Sequence, residues 1–84
     1  MEKEQIKEKV KNILISVLKH DNFEMDDELT AAWVDGWDSL NHIIIITEIE
    51  RCFDIKFKLK DLNKLNKMGN LLELVSSKIE QKLI

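Results

Sequence analysis

The stretch Gly36-Trp37-Asp38-Ser39-Leu40 contains the side chains with the clearest chemical potential. It follows a polar segment without sustained apolar spacing and precedes four successive isoleucines, so we expect it where a loop meets a helix. An aspartate at such a junction caps the helix by accepting hydrogen bonds from its first amides. A serine in the first turn presents its hydroxyl among unpaired amides at the positive end of the helix dipole. Such a position would suit a phosphodiester on the serine oxygen.

A hydrolytic site at the same junction is a weaker interpretation. His42 follows Ser39 by three residues, so both side chains can share one helix face. The sequence offers no orienting carboxylate or oxyanion loop that would make the pair a nucleophile and its base. We therefore expect His42 to be solvated, beside Ser39, where it helps to position the group that the serine carries.

Three further features do not fit the binding functions that they first suggest. Residues 20–38 hold seven acidic side chains and no lysine or arginine, but they lack the spacing and the glycine of an EF-hand, so we predict no metal site. Cys52 is the only cysteine and has no partner at metal-ligand spacing. The C-terminal half has clustered lysines without interleaved aromatic residues, and the net charge is −3, so we expect no nucleic-acid partner. These lysines are Lys58, Lys60, Lys64 and Lys67.

Apolar spacing predicts an all-α fold, a small bundle of three longer helices and one short helix. The first helix covers about residues 2–19, and a long acidic loop covers residues 20–37. The second helix begins at Asp38, a short helix lies within residues 57–65, and Asn66 caps the last helix. The predicted inward positions are Ile6, Val10, Ile13, Leu14, Val17, Ile43, Ile46, Ile49, Phe53, Leu62, Leu65, Met68, Leu71, Leu72, Val75, Ile79 and Leu83, with Ile45 flanking.

A loop as long as residues 20–37 is uncommon in a small domain and is often functional. Its apolar side chains should fasten it to the core, and Trp37 should pack over the start of the second helix. The side chains expected to fasten the loop are Phe23, Leu29, Trp33 and Val34.

Composition limits the function classes. A chain of 84 residues forms one small domain with a thin core, too small for a deep cleft of its own. Two glycines and no proline exclude a fold built from tight turns. The isoleucine run is far too short for a membrane span, and the N-terminus shows no apolar secretory signal, so we expect a cytoplasmic protein without membrane insertion.

The motif and the pattern that follows it resemble the acyl carrier protein family, the phosphopantetheine-binding carrier domains, in their stand-alone form. The resemblance covers nearly the whole chain and implies one carrier domain over residues 1–84. Besides Asp38-Ser39-Leu40, the matching runs are Glu50-Arg51-Cys52-Phe53-Asp54-Ile55 and Met68-Gly69-Asn70-Leu71.

The resemblance implies that Ser39 is the attachment point of 4′-phosphopantetheine, installed from coenzyme A by a phosphopantetheinyl transferase. The thiol of that arm would hold acyl groups as thioesters, so the protein itself would catalyse nothing. Its other partners would be an acyl-loading ligase or synthase and acyl-acceptor enzymes, and a monomer suits that role. Side chains next to the arm or the partner would be Trp37, Asp38, Leu40 and His42.

The second helix departs from the family's pattern on its expected partner face, which holds Asn41, Ile44, Thr47 and Arg51. Carriers of fatty-acid synthesis commonly have acids at the matches of Asn41, Ile44 and Arg51, so steering by an acidic helix should be weak here. Leu40 and Ile44 would instead form an apolar docking spot. By analogy the motif is similar to bacterial carriers for surface polysaccharides or specialised metabolites, rather than to the general fatty-acid carrier.

The sequence leaves several alternatives open. An aminoacyl or peptidyl carrier fits the same motif, and so does a helical adaptor that never carries the arm. A second interpretation has Ile44 packed inward and the face merely less charged, since one helix period does not fix rotation. The bundle interior either forms a channel for an acyl chain or is closely packed; the residues concerned are Ile43, Ile46, Ile49, Phe53, Leu62, Leu65, Leu71 and Val75.

Overall fold

A computed structural model describes residues 2–62 and 67–83 of the chain. Within these ranges the backbone forms four α-helices and one short 3₁₀ turn, Ala31–Trp33, and no strand. The helices are α1 (Lys3–Leu18), α2 (Ser39–Phe53), α3 (Leu59–Leu62) and α4 (Met68–Leu83). The predicted all-α bundle with three longer helices and one short helix is confirmed.

Helix α1 packs against both α2 and α4 and so forms the centre of the bundle. It begins with a capping box, in which Glu2 and Gln5 each bond the other's backbone amide. It ends at Lys19, which adopts the left-handed conformation with φ 66°. The predicted apolar face is confirmed and gains one residue, Leu18. Its buried residues are Ile6, Val10, Leu14 and Leu18, and Ile13 and Val17 are partly buried.

Helix α2 buries Ile45, Ile46, Ile49 and Phe53. The prediction that Ile43 faces the core is wrong, because 63 % of its surface is exposed. The isoleucine run is compatible with more than one rotation of the helix, and contact with α1 selects the one that turns Ile45 inward. Each residue advances the helix by about 100°, so a core centred on positions 45, 46 and 49 turns position 43 outward.

The short helix α3 buries a charged residue where a leucine was expected. Leu62 remains 37 % exposed, so its prediction as an inward residue is wrong, while Leu65 and the predicted cap Asn66 lie outside the described residues. Asp61 is buried instead, and its Oδ2 accepts a hydrogen bond of 2.8 Å from the Lys58 amide. The same oxygen lies 2.9 Å from Lys78 Nζ on α4. This ion pair, rather than a leucine, ties α3 to the bundle.

Helix α4 holds the acidic loop close to the core. The Met68 amide donates to the Leu29 carbonyl at 2.7 Å, and the Gly69 amide donates to the Asp27 carbonyl at 3.0 Å. Glycine is required at position 69, because a Cβ there would lie 2.9 Å from the Asp27 Cβ. On its apolar face α4 buries Met68, Leu71, Leu72 and Val75, with Ile79 partly buried.

The loop is fastened by a slightly different set of side chains from the one predicted. Val34 is buried and Phe23 and Leu29 pack against the core, as expected. Trp33 is 82 % exposed, so the expectation that it fastens the loop is wrong. Met25 is buried and helps to fasten the loop. The sequence pattern did not predict this, because Met25 stands alone among acidic residues.

We predict that Asp61→Asn destabilises the protein in a pH-dependent way. The hydrogen bond from the Lys58 amide, followed by the contact with Lys78, lowers the pKa of the Asp61 carboxyl below its ordinary value of 3.8. A lowered pKa stabilises the fold above the ordinary value, and this stabilisation is lost as the pH falls through the lowered pKa. In urea unfolding, Asp61→Asn should therefore have a lower free energy of unfolding than wild type at neutral pH, and this difference should disappear in acid.

The control is Asp54→Asn, because Asp54 Oδ2 lies 3.2 Å from Lys82 Nζ in an exposed pair. Exposed pairs contribute little, and asparagine tolerates the left-handed backbone at position 54. An equal, pH-independent loss in both variants would contradict the assignment to Asp61.

Candidate functional site

The backbone turns sharply just before α2. Gly36 adopts φ +83°, a left-handed conformation that glycine reaches without strain. Its carbonyl accepts from the Asp38 amide at 3.0 Å and from Asn41 Nδ2 at 2.7 Å. Asn41, half-buried and predicted on the partner face, thus contacts the turn that precedes the helix. These bonds fix the direction in which the loop enters α2.

Asp38 caps α2 as predicted. Its Oδ1 accepts from the Asn41 amide at 2.8 Å, and its carbonyl accepts from the His42 amide at 2.8 Å. Ser39 is the first residue of the helix and is exposed. Within the described part of the chain, the amides of Ser39 and Leu40 make no hydrogen bond. An anionic group on the Ser39 hydroxyl would therefore meet two amide donors and the positive end of a 15-residue helix.

Trp37 and His42 form a pair across the start of α2, which confirms that Trp37 packs there. The Trp37 Nε1–H donates to His42 Nδ1 at 3.1 Å. The two rings stack, with centroids 6.0 Å apart and an angle of 27° between their planes. His42 is half-buried by this contact, so the expectation of a solvated side chain is wrong. The sequence signal for this contact was the spacing of the two residues. Trp37 lies just before the Asp38 cap and His42 lies in the first turn of α2, so the turn at the cap brings their side chains together.

The end of the acidic loop is anchored to the end of α1. His20 Nε2 donates to the Asp35 carbonyl at 2.6 Å, and the Asn22 amide donates to His20 Nδ1 at 3.0 Å. The side chains of Asp35 and Asp38 remain exposed beside Ser39. The surface on the loop side of the serine is therefore negative.

The outward face of α2 next to Ser39 is apolar. Leu40, Ile43 and Ile44 are 68 %, 63 % and 40 % exposed and follow helical spacing of three and one. Thr47 is exposed one turn further on, and its hydroxyl donates to the Ile43 carbonyl at 2.9 Å. Arg51 is exposed and pairs with Glu48 at 3.5 Å. Of the predicted partner-face residues, the structure thus leaves Ile44, Thr47 and Arg51 at the surface.

A groove of about 590 Å³ between α1 and α2 was not anticipated from the sequence. Ile13 and Val17 of α1 and Ile44 of α2 supply its apolar surface, and the exposed Cys52 thiol lies at its edge. The sequence feature that could have predicted this groove is the position of Ile13 and Val17. They lie at the side of the α1 apolar face rather than at its centre, and they are only partly buried.

The residues predicted to line an acyl channel divide into two groups. Ile46, Ile49, Phe53, Leu71 and Val75 are buried together in the core. Ile43 and Leu62 are at the surface, and Leu65 is outside the described residues.

Two further searches cover the described ranges. In residues 2–62 and 67–83, no group of three or more histidine, cysteine or acidic side chains could hold a metal ion. None of the helices described there has both the length and the apolar character needed to cross a bilayer.

The chain is thus a small helical bundle with an exposed serine at a capped helix start. A solved structure of a holo acyl carrier protein from Geobacter metallireducens is similar, with a TM-score of 0.86 and 35 % identity over 93 % of this chain and 90 % of that one. An acyl carrier protein from Thermotoga maritima matches with a TM-score of 0.82 and 25 % identity, over 96 % of this chain and 94 % of that one. No protein-family model and no curated protein matches the sequence. The chain belongs to the acyl carrier protein family.

We predict that Asp38→Ala lowers the free energy of unfolding by about 0.5–2 kcal/mol, because the Asn41 amide loses its acceptor. Asp38→Asn should retain most of the stability, since its side-chain oxygen can still accept. Urea denaturation at neutral pH measures both. Equal stability of Asp38→Ala and wild type would contradict the capping role.

Proposed function

We propose that this protein carries acyl groups on a 4′-phosphopantetheine arm attached to Ser39. The observation that supports it is the exposed Ser39 hydroxyl in the first turn of α2, beside the unbonded amides of Ser39 and Leu40. In a chain of this family, that arrangement fits a phosphodiester: the oxygen is accessible to a transferase, and the helix start stabilises its negative charge.

The arm, when bound, supplies a thiol that holds acyl groups as thioesters. The protein's own residues hold and present it. Asp38 keeps the first turn of α2 in place, and the Gly36 turn with Asn41 sets the direction of the helix start. The role is that of a bacterial cytoplasmic carrier without catalysis of its own. We expect it to be a monomer and to exchange between a phosphopantetheinyl transferase, an acyl-loading ligase or synthase, and an acyl-acceptor enzyme.

We further propose that the carrier serves a dedicated pathway, such as that of a surface polysaccharide or specialised metabolite. Partner enzymes would meet an apolar face made of Leu40, Ile43 and Ile44, with Arg51 at its far end. Apolar contact is driven by burial and depends little on salt, whereas an acidic helix attracts basic partners through screened charges. A fatty-acid enzyme that recognises acidic carriers should therefore bind this protein weakly.

Attachment is tested by intact mass after incubation with coenzyme A, magnesium and a broad-specificity phosphopantetheinyl transferase. Wild type should gain the mass of one arm, and Ser39→Ala should gain none. Ser16→Ala is the matched control, because Ser16 is an exposed helical serine on α1, and it should gain the arm fully. No gain in wild type, or a gain in Ser39→Ala, would overturn the proposal. The mass of protein purified from its native host then identifies the cargo.

The partner face is tested with a β-ketoacyl synthase of bacterial fatty-acid synthesis. The wild-type holo-protein should bind it weakly and with little salt dependence. The variant Ile44→Glu/Thr47→Glu/Arg51→Glu places acids on the exposed face of α2 and should bind more tightly, in a manner that salt weakens. Calorimetry or surface plasmon resonance at two ionic strengths measures both.

The control for this test has the same change of net charge away from α2, in the variant Lys3→Glu/Asn70→Asp/Gln81→Glu. All three positions are exposed. The control should bind like wild type, because charge acts here through its place on the docking helix. Tight, salt-sensitive binding of the wild-type protein would contradict the dedicated-pathway proposal.

A further inference from the structure

The hydrogen bond between Trp37 and His42 fixes where the imidazole carries its proton. An indole Nε1–H can only donate, so the His42 Nδ1 that lies 3.1 Å from it must accept. A nitrogen that accepts has no hydrogen of its own. In the neutral ring the proton is then on Nε2, which makes that atom a hydrogen-bond donor.

Ser39 precedes His42 by three residues at the start of α2. Residues three apart on an α-helix are neighbours, with Cβ atoms about 5–6 Å apart. A phosphate on the Ser39 oxygen would extend the reach of the serine by a further bond toward that imidazole.

We propose that His42 Nε2–H donates a hydrogen bond to the phosphate of the group carried on Ser39, and that Trp37 is the positioning residue that keeps the proton on Nε2. This inference rests on the proposed function, because it needs the phosphodiester. It assigns a specific side chain to hold the phosphate, in addition to the helix start.

The surroundings of Ser39 explain why an extra donor is useful. The carboxylate of Asp38, the residue directly before Ser39, is exposed and repels a phosphodiester. The Asp38 carboxylate accepts from the Asn41 amide, so that amide is already used. A donor from the side of the helix complements the amides of Ser39 and Leu40, which point along its axis.

The Trp37–His42 pair lies against the loop and α4. A cavity of about 20 Å³ beside the two rings is lined in part by Leu29 of the loop and by Met68 and Leu71 of α4. That space admits about one water molecule. These contacts hold the pair next to the start of α2, in addition to the hydrogen bond between the rings.

His20 provides a matched control. Its Nδ1 also accepts, from the Asn22 amide at 3.0 Å, and its Nε2 donates to the Asp35 carbonyl at 2.6 Å. In His20, as in His42, Nδ1 accepts a hydrogen bond and Nε2 carries the proton. The His20 Nε2–H is already bound to a backbone carbonyl, so it is not free for a phosphate.

The test is the ³¹P NMR spectrum of the holo-protein at one fixed pH. His42→Phe should shift the phosphodiester resonance, and His42→Gln, whose amide nitrogen takes the place of Nε2, should return it toward the wild-type position. Trp37→Phe keeps a ring but removes the indole N–H, so it should give an intermediate shift. His20→Phe should leave the resonance unchanged. Long-range ¹⁵N–¹H correlation in wild type should show His42 Nδ1 without a proton.

Circular dichroism and thermal unfolding show which variants keep the fold; Trp37→Phe remains informative if His42→Phe does not. A phosphodiester resonance at the wild-type position in Trp37→Phe, or in folded His42→Phe, would overturn the inference while leaving the carrier function intact. A proton on Nδ1 would also overturn it. If transferase adds no arm to the wild-type protein, the proposed function itself fails.

Discussion

The burial of Ile45, Ile46 and Ile49 is the constraint on which the rest of this structure depends. These three side chains fix the rotation of α2 about its axis. Once they face the interior, position 39 is left exposed at the helix start and positions 40 and 43 are turned to solvent. The packing of these three side chains thus sets both the exposure of the Ser39 hydroxyl and the apolar surface beside it. Under the proposed function, the residue to be modified and the residues to be recognised are presented together.

A small domain has a thin core, and this one compensates with specific polar contacts. Asp61 joins α3 to α4 through Lys78, and the backbone of Gly69 meets the backbone of Asp27 directly. Both contacts hold segments that bury few apolar side chains of their own. The acidic loop can therefore remain long and charged without detaching from the bundle, and it delivers Asp38 to the start of α2 in a fixed direction.

The two sides of Ser39 differ in chemical character. On the loop side the surface is negative, with Asp35 exposed. On the α2 side it is apolar, with Leu40 and Ile43 exposed. A partner that touches both sides needs basic groups for one and an apolar patch for the other. Selectivity among carriers in one cell can follow from this arrangement, because an enzyme adapted to an acidic helix finds no matching charge.

The sequence by itself determined the helical fold, the junction at residue 38 and the serine that follows it, because capping and apolar periodicity are local properties that a few neighbouring residues express. It did not determine the rotation of α2. Four isoleucines in a row allow more than one side of the helix to face the core. The sequence pattern predicted that Ile43 faces inward, and the structure turns it to solvent. The exposure of Trp33 and the burial of Asp61 were likewise decided by partners distant in the chain. The contact between Trp37 and His42 also needed the tertiary structure, since only the folded turn at Gly36 brings an indole before the helix onto an imidazole within it.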